Sequence, residues 1–152
     1  MSNEITKMEE DKRQHLEFIQ NVINRMNTNS FQMKGLALTL VTALMAIYAS
    51  TINVTFMFVG IIPLLFFWSL DSYYLQQERK FRGIYNDLTG LNEKINIRPY
   101  EMPIQKYTKE LDRKYSYWDV FFSPTIKWFY LSVIIILVLI GLLLKYKDCL
   151  FN

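Results

Sequence analysis

The sequence predicts an all-α membrane protein, with three transmembrane helices, long cytoplasmic helical extensions and a homo-oligomeric bundle as its working form. Two stretches of the 152-residue chain and the placement of its charges lead there. Gly35 to Leu70 contains no Asp, Glu, Lys, Arg or His, and a second charge-free run extends from Trp128 to Leu144. A bilayer core is ~30 Å thick and needs roughly 17–25 apolar residues per helix, so the first run suits a hairpin and the second a single span. A soluble helical bundle is the competing reading. Against it, both runs are apolar all round, and Trp68, Tyr73, Tyr74, Trp128, Tyr130 and Tyr146 flank them as interfacial aromatics do.

The chain divides accordingly. Residues 1–33 form a cytoplasmic amphipathic helix, with Phe18, Ile19, Val22, Ile23 and Met26 recurring at helical spacing. This segment is polar and precedes the hydrophobic run, so no cleavable signal peptide is expected. Residues 34–71 make the transmembrane hairpin, with its turn expected at Ala49 to Asn53, where hydroxyls and an amide favour reversal. Pro63 lies inside the second arm and is expected to kink it.

Residues 72–127 hold a cytoplasmic helix extension, a loop and an interfacial helix. The extension repeats apolar positions at Tyr74, Phe81, Ile84, Tyr85 and Leu88. A turn centred between Thr51 and Ile52 sets Phe18 opposite Tyr85, Ile19 opposite Ile84, Val22 opposite Phe81 and Arg25 opposite Glu78. It also brings Lys34 nearly level with Asp71. Arg25–Glu78 and Lys34–Asp71 are therefore candidate structural ion pairs. Beyond Gly90, the two prolines of "NIRPYEMPIQKY" predict extended or looped chain. Tyr107, Leu111, Tyr115, Trp118 and Phe122 then form a stripe, read as one amphipathic helix on the inner membrane surface and ended by Pro124. Residues 128–145 are the third span, and 146–152 an external tail that carries the lone Cys149.

Lys and Arg number five before Gly35, none in the turn, ten from Asp71 to Lys127 and two after Leu144. The positive-inside rule places the N-terminus and the long middle segment in the cytoplasm of a bacterial inner-membrane protein, with the C-terminus external. The net charge of +3 does not by itself imply nucleic acid.

The sequence holds no obvious catalytic apparatus. It has one histidine, His15, one cysteine, and no HExxH, CxxC pair, phosphate-binding glycine loop or GxSxG. Catalytic residues, metal ligands and cofactors are therefore expected to be none, and the chain is not expected to be an enzyme. A coupled transporter normally keeps an ionisable group within the bilayer, and these spans keep none.

An oligomeric pore or an interaction module remains. Gly35, Thr39, Thr42, Ala43, Ala46, Ala49 and Ser50 fall on one face of the first span, opposite Leu36, Leu40, Leu44 and Ile47. A small, hydroxyl-bearing face serves either close helix packing or the lining of a narrow pore in a ring of subunits. Thr39, Thr42, Ala46 and Ser50 are the pore-lining candidates, and both uses stay open. Asn21, Asn24 and Asn29 stand just before this span as candidates for a polar vestibule or gate, their amides offering both donor and acceptor. Basic and aromatic groups that would meet a ligand or anionic lipid are Arg98, Lys106, Tyr107, Arg113, Tyr115 and Trp118.

Three phrases carry a resemblance: "FIQNVINRMNTNSFQMKG", "PLLFFWSLDSYYLQQERKFRGIY" and "FFSPTIKWFY". From about Gln14 to Tyr130 the chain resembles a widespread family of small bacterial multi-pass membrane proteins encoded near anti-phage nucleotide-signalling genes, and it is similar to the Hailong membrane effector channel. The resemblance implies a gated oligomeric ion channel that depolarises the inner membrane. Its trigger would be a cytoplasmic nucleotidyltransferase or TIR protein, or a nucleotide product. The other reading is a non-conducting anchor or adaptor that recruits a cytoplasmic partner through its helical hairpin.

Overall fold

The computed structural model describes residues 2–51, 53, 55–92, 95–109 and 113–151. Every regular element among them is helical: α1 (Ser2–Thr51), α2 (Thr55–Leu88), α3 (Ile104–Lys109), a 3₁₀ turn (Arg113–Tyr115), α4 (Tyr117–Phe121) and α5 (Pro124–Phe151). Three helical stretches, Glu4–Thr51, Phe58–Leu88 and Pro124–Tyr146, are long and apolar enough to cross a membrane. The chain packs as two units, one of Met1–Asn29 with Tyr74–Val120, the other of Ser30–Tyr73 with Phe121–Asn152.

The second unit contains the charge-free runs. Its interior is built from Ala37, Val41 and Tyr48 of α1, Leu64 and Trp68 of α2, and Ile126, Tyr130, Val133 and Leu137 of α5. A small residue lets helices approach closely: the missing Cβ of Gly60 would lie 3.4 Å from Leu44 Cδ1 and 3.6 Å from Leu137 Cδ1. Two polar tips at this core find partners. The Tyr48 hydroxyl donates to the Gly141 carbonyl at 2.8 Å. Trp68 stacks on Phe121 and Tyr130, at 4.8 and 5.6 Å between centroids, and its indole N–H donates to the Phe121 carbonyl at 3.1 Å. Large apolar side chains point outward instead, including Phe58, Ile62, Phe66, Ile136 and Leu143, an arrangement suited to lipid as the solvent.

The first arm of the hairpin runs further than expected. Ala49, Ser50 and Thr51 stay in α1, because Ser50 and Thr51 both donate their hydroxyls back to the Ile47 carbonyl, at 2.8 and 2.9 Å. Hydroxyls that bond to the preceding turn do not compete with the helix. Of the reversal itself, Asn53 is described, and Ile52 and Val54 lie outside the described residues. Pro63 lies within α2, which is continuous through it. Pro124 opens α5 at the first helical position, where its missing N–H costs nothing, and the Lys127 N–H donates to the Ser123 carbonyl at 2.9 Å.

The first unit has a core of Ile19, Ile23, Phe81, Ile84, Tyr107 and Tyr115, with Val22, Tyr85, Leu88, Ile95, Ile97 and Ile104 packed around it. The expected partners Ile19 and Ile84, and Val22 and Phe81, fall in this one cluster. Phe18 does not share that interior and is 49% exposed: Ile19 and Ile23 carry the buried edge of α1 in its place. At its C-terminal end α2 is closed by Gly90, at φ 75°, with the Leu91 N–H donating to the Asn86 carbonyl at 2.8 Å, the glycine-capped ending that a left-handed residue permits.

The single interfacial helix expected over 107–122 is not formed. Its described residues make three short pieces, α3, the 3₁₀ turn and α4, and Leu111 lies outside them. The physical reason is a notch on α2. A Cβ at Gly83 would lie 2.6 Å from Tyr107 Cε1 and 2.7 Å from the Tyr115 hydroxyl oxygen, so the absent side chain is the space those rings occupy. The two rings also meet edge to face at 5.3 Å, and a chain that folds both into one notch cannot stay a straight surface helix.

Candidate functional site

In the second unit, α1 presents two unlike faces. Ala37, Val41 and Tyr48 face inward, while Thr39, Thr42, Ala46 and Ser50 are all exposed. The Thr39 hydroxyl donates to the Gly35 carbonyl at 2.9 Å and the Thr42 hydroxyl to the Leu38 carbonyl at 2.7 Å. These hydroxyls thus spend their hydrogen within the helix and keep acceptor capacity outward. The small face takes no part in the packing of its own chain. A Cβ on Gly35 would meet nothing within 4 Å.

At the base of this unit is a buried polar knot. Asp71 has no exposed side-chain surface, and Lys34, 21% exposed, reaches its Oδ2 at 2.6 Å. Ser30 donates its hydroxyl to Asp71 Oδ1, and Lys34 Nζ donates to Ser30 Oγ at 3.0 Å. Ser72, equally buried, donates to the Trp68 carbonyl at 2.7 Å. A lone carboxylate in such a place would cost several kcal/mol, on the order given by ion desolvation. The lysine and the serine offset that cost together. Sequence reasoning placed Lys34 beside Asp71 but missed Ser30, whose only sequence signal is that it lies one helical turn before Lys34.

The expected pair of Arg25 and Glu78 does not form. Glu78 is buried in the first unit and accepts from Arg82 Nε, four residues on along α2, at 2.7 Å, while Arg25 is exposed. An i,i+4 partner on one rigid helix needs less ordering than a partner across a seam.

Of the asparagines, Asn21 and Asn24 are exposed and Asn29 half-buried. Asn24 lines a groove of ≈ 300 Å³ with Gln20, Arg82, Tyr85 and Asn86. It therefore borders α2 of its own unit.

The ligand or lipid candidates separate into three groups. Arg98 and Lys106 come together, lining a cavity of ≈ 590 Å³ with Tyr100 and Glu101. Trp118 is exposed, its ring edge-on to Tyr117 at 5.6 Å. Tyr107 and Tyr115 are interior, so their rings are packed and do not stand open to ligand or lipid. The side chain of Arg113 lies outside the described residues. Burial, with Asp87 accepting its hydroxyl hydrogen, pushes the Tyr107 phenol well above the usual range and holds it as a donor.

A second polar contact was not anticipated. Tyr100 adopts φ 64°, uncommon for a bulky non-glycine residue. Three contacts with α1 hold it there. Its backbone N–H donates to His15 Nδ1 at 3.2 Å, and its hydroxyl donates to Gln14 Oε1 at 2.7 Å and Asp11 Oδ1 at 3.1 Å. Burial pushes the His15 imidazole below its ordinary value and keeps it neutral, in keeping with an accepting Nδ1. The burial of His15 continues the Ile19–Ile23 edge one turn back, but nothing in the sequence signals its partner, which comes from a loop some 85 positions away. Among the described residues no three His, Cys, Asp or Glu side chains gather as a metal site.

No family model matches the chain, and no curated protein or solved structure is significantly similar to it.

Proposed function

We propose that this protein is a homo-oligomeric, gated ion channel of the bacterial inner membrane, an anti-phage effector that depolarises the membrane when a cytoplasmic partner or a nucleotide signal triggers it. The observation that supports this reading is the division of α1 in the second unit. The edge carrying Ala37, Val41 and Tyr48 packs within the chain, and the small, hydroxyl-bearing positions Thr39, Thr42, Ala46 and Ser50 are left exposed, as are Leu36 and Ile47 of the expected bulky face. In a ring of copies that face lines the axis: small side chains leave room for water, and threonine and serine oxygens offer acceptors to a cation. The N-terminus and the middle segment lie in the cytoplasm on the strength of their lysines and arginines. The family resemblance supplies the defence role and the trigger.

Planar-bilayer recording of the purified protein tests the reading. Discrete unitary steps are expected, and Thr39→Leu or Ala46→Leu reduces unitary conductance by narrowing the lumen. A silent bilayer from protein shown to be folded and oligomeric overturns the channel and favours a non-conducting membrane anchor. Unchanged conductance in both leucine variants removes this face from the pore.

A further inference from the structure

We infer that the first unit carries a binding site for a small organic monoanion, in the cavity whose lining includes the polar Lys12, His15 and Asn96 and the apolar Met8, Ile95 and Ile97. The cavity has a volume of ≈ 590 Å³, inside the ~300–1,000 Å³ range of small-molecule sites.

The decisive group is His15. Its residue surface is fully buried, and Nδ1 is occupied as an acceptor by the Tyr100 N–H. A neutral imidazole accepting at Nδ1 carries its proton on Nε2. That Nε2–H has no hydrogen-bond partner in the protein. A buried donor left unpaired is costly, and His15 is one of the residues that wall the cavity from which an acceptor would be supplied. Lys12, one turn earlier on α1, is exposed and contributes the cation. The Asn96 amide adds further hydrogen-bonding capacity.

The same lining limits the ligand's charge. Asp87 also borders the cavity, and its carboxylate is occupied by the Tyr107 hydroxyl. Among the described lining residues one cation, the neutral polar groups of His15, Thr89 and Asn96, and one carboxylate suit a single negative charge and disfavour a polyanion. Met8, Ile95 and Ile97, together with Leu88, suit a flat apolar body attached to it. The site stands independently of whether the protein conducts ions.

His15 is the one histidine of the chain, so ¹⁵N-histidine labelling gives a single imidazole reporter. The full-length protein in nanodiscs is titrated with 2-naphthoate and, separately, with its neutral isostere 2-naphthamide. The expected result is a saturable shift of the Nε2 resonance with naphthoate at millimolar concentration. Binding of the amide is weaker by about ten-fold or more, the value of one charge-assisted hydrogen bond. Lys12→Ala, at an exposed position, weakens naphthoate by a similar factor and leaves the Nδ1 resonance unmoved. No Nε2 shift with naphthoate, equal binding of acid and amide, or full affinity in Lys12→Ala would each overturn the site.

Discussion

Asp71 and Asp87 are both carboxylates that accept a hydroxyl hydrogen, one in each unit, yet their surroundings treat them differently. Asp87, in the first unit, is half-buried and receives the Tyr107 hydroxyl at the edge of a water-accessible cavity. Asp71, in the second, has no exposed side-chain surface and is held by Ser30 and the Lys34 ammonium together. At Asp71, where water does not reach, the charge is met by an opposite charge, because desolvation of an unpaired ion outweighs any single neutral hydrogen bond.

The largest expected effect breaks the comparison on the second unit's side. Lys34→Met leaves Asp71 buried and unpaired and costs about 3–5 kcal/mol. The double variant Lys34→Met with Asp71→Asn removes the charge as well and regains most of that loss. The matching cut in the first unit, Tyr107→Phe, costs less, about 1.5–3 kcal/mol for a hydrogen bond to a charged group, since water can take over part of the carboxylate's solvation. Denaturant unfolding in detergent micelles followed by circular dichroism reads all three. Equal losses in the two single variants would mean that the environments of Asp71 and Asp87 do not differ in the way their burial indicates.

The two units also differ in how far they could be read from the sequence. The second is governed by hydropathy, which is a local property. Two charge-free runs, a polar break inside the first and a proline before the last were enough to place three long helices, to within a few residues at the hairpin. Lys34 met Asp71 because helical register carries a pairing evenly along a hairpin. The first unit depends on contacts far apart in sequence. Tyr107 and Tyr115 lie at helical spacing and read as a surface stripe, and only the notch at Gly83 shows why they turn inward. The same spacing made Phe18 a core residue, when the seam had room for Ile19 and Ile23 on that edge. Arg25 matched Glu78 by register, and a nearer arginine on the same helix took the carboxylate. His15 stands one turn before Ile19 on the same edge, so its burial was legible, but its partner, the backbone N–H of Tyr100, was not, because a backbone donor leaves no trace in residue identity.

Two glycines sharpen the contrast at smaller amplitude. Gly83→Ala forces a methyl group against both tyrosine rings and is expected to destabilise the first unit by about 1–3 kcal/mol, the usual cost of overpacking. Gly35 is the opposite case, with open space where its Cβ would be. In an isolated chain Gly35→Ala gains up to about 1 kcal/mol from helix propensity alone. If a second copy closes on that face, the substitution instead lowers the oligomer fraction, seen by cross-linking or by mass measurement in detergent. A stabilised variant with unchanged assembly would place Gly35 against lipid and away from any subunit contact.

The smallest effect is a pH dependence that only the first unit should show. Burial lowers the imidazole pKa of His15 in the folded state, so the unfolded chain, with an ordinary value near ~6.5, binds the proton more tightly. Stability from the neutral imidazole is therefore fully present above that ordinary value. It is lost progressively as the pH falls below it, when a protonated Nδ1 can no longer accept the Tyr100 N–H. The charged groups around it are Asp11 and Lys12 on α1, with Asp87 bordering the same cavity, and the phenol of Tyr100 remains neutral throughout this window. His15→Gln keeps an acceptor for that N–H without a titrating proton. The thermal midpoint of the wild type should fall more between pH 7.5 and pH 5 than that of His15→Gln, a window set around the histidine reference value. Carboxylate titrations common to both proteins cancel in the comparison. Parallel pH profiles would show that the imidazole titrates alike in the folded and unfolded chains, and the contact with Tyr100 would then not depend on its neutral form.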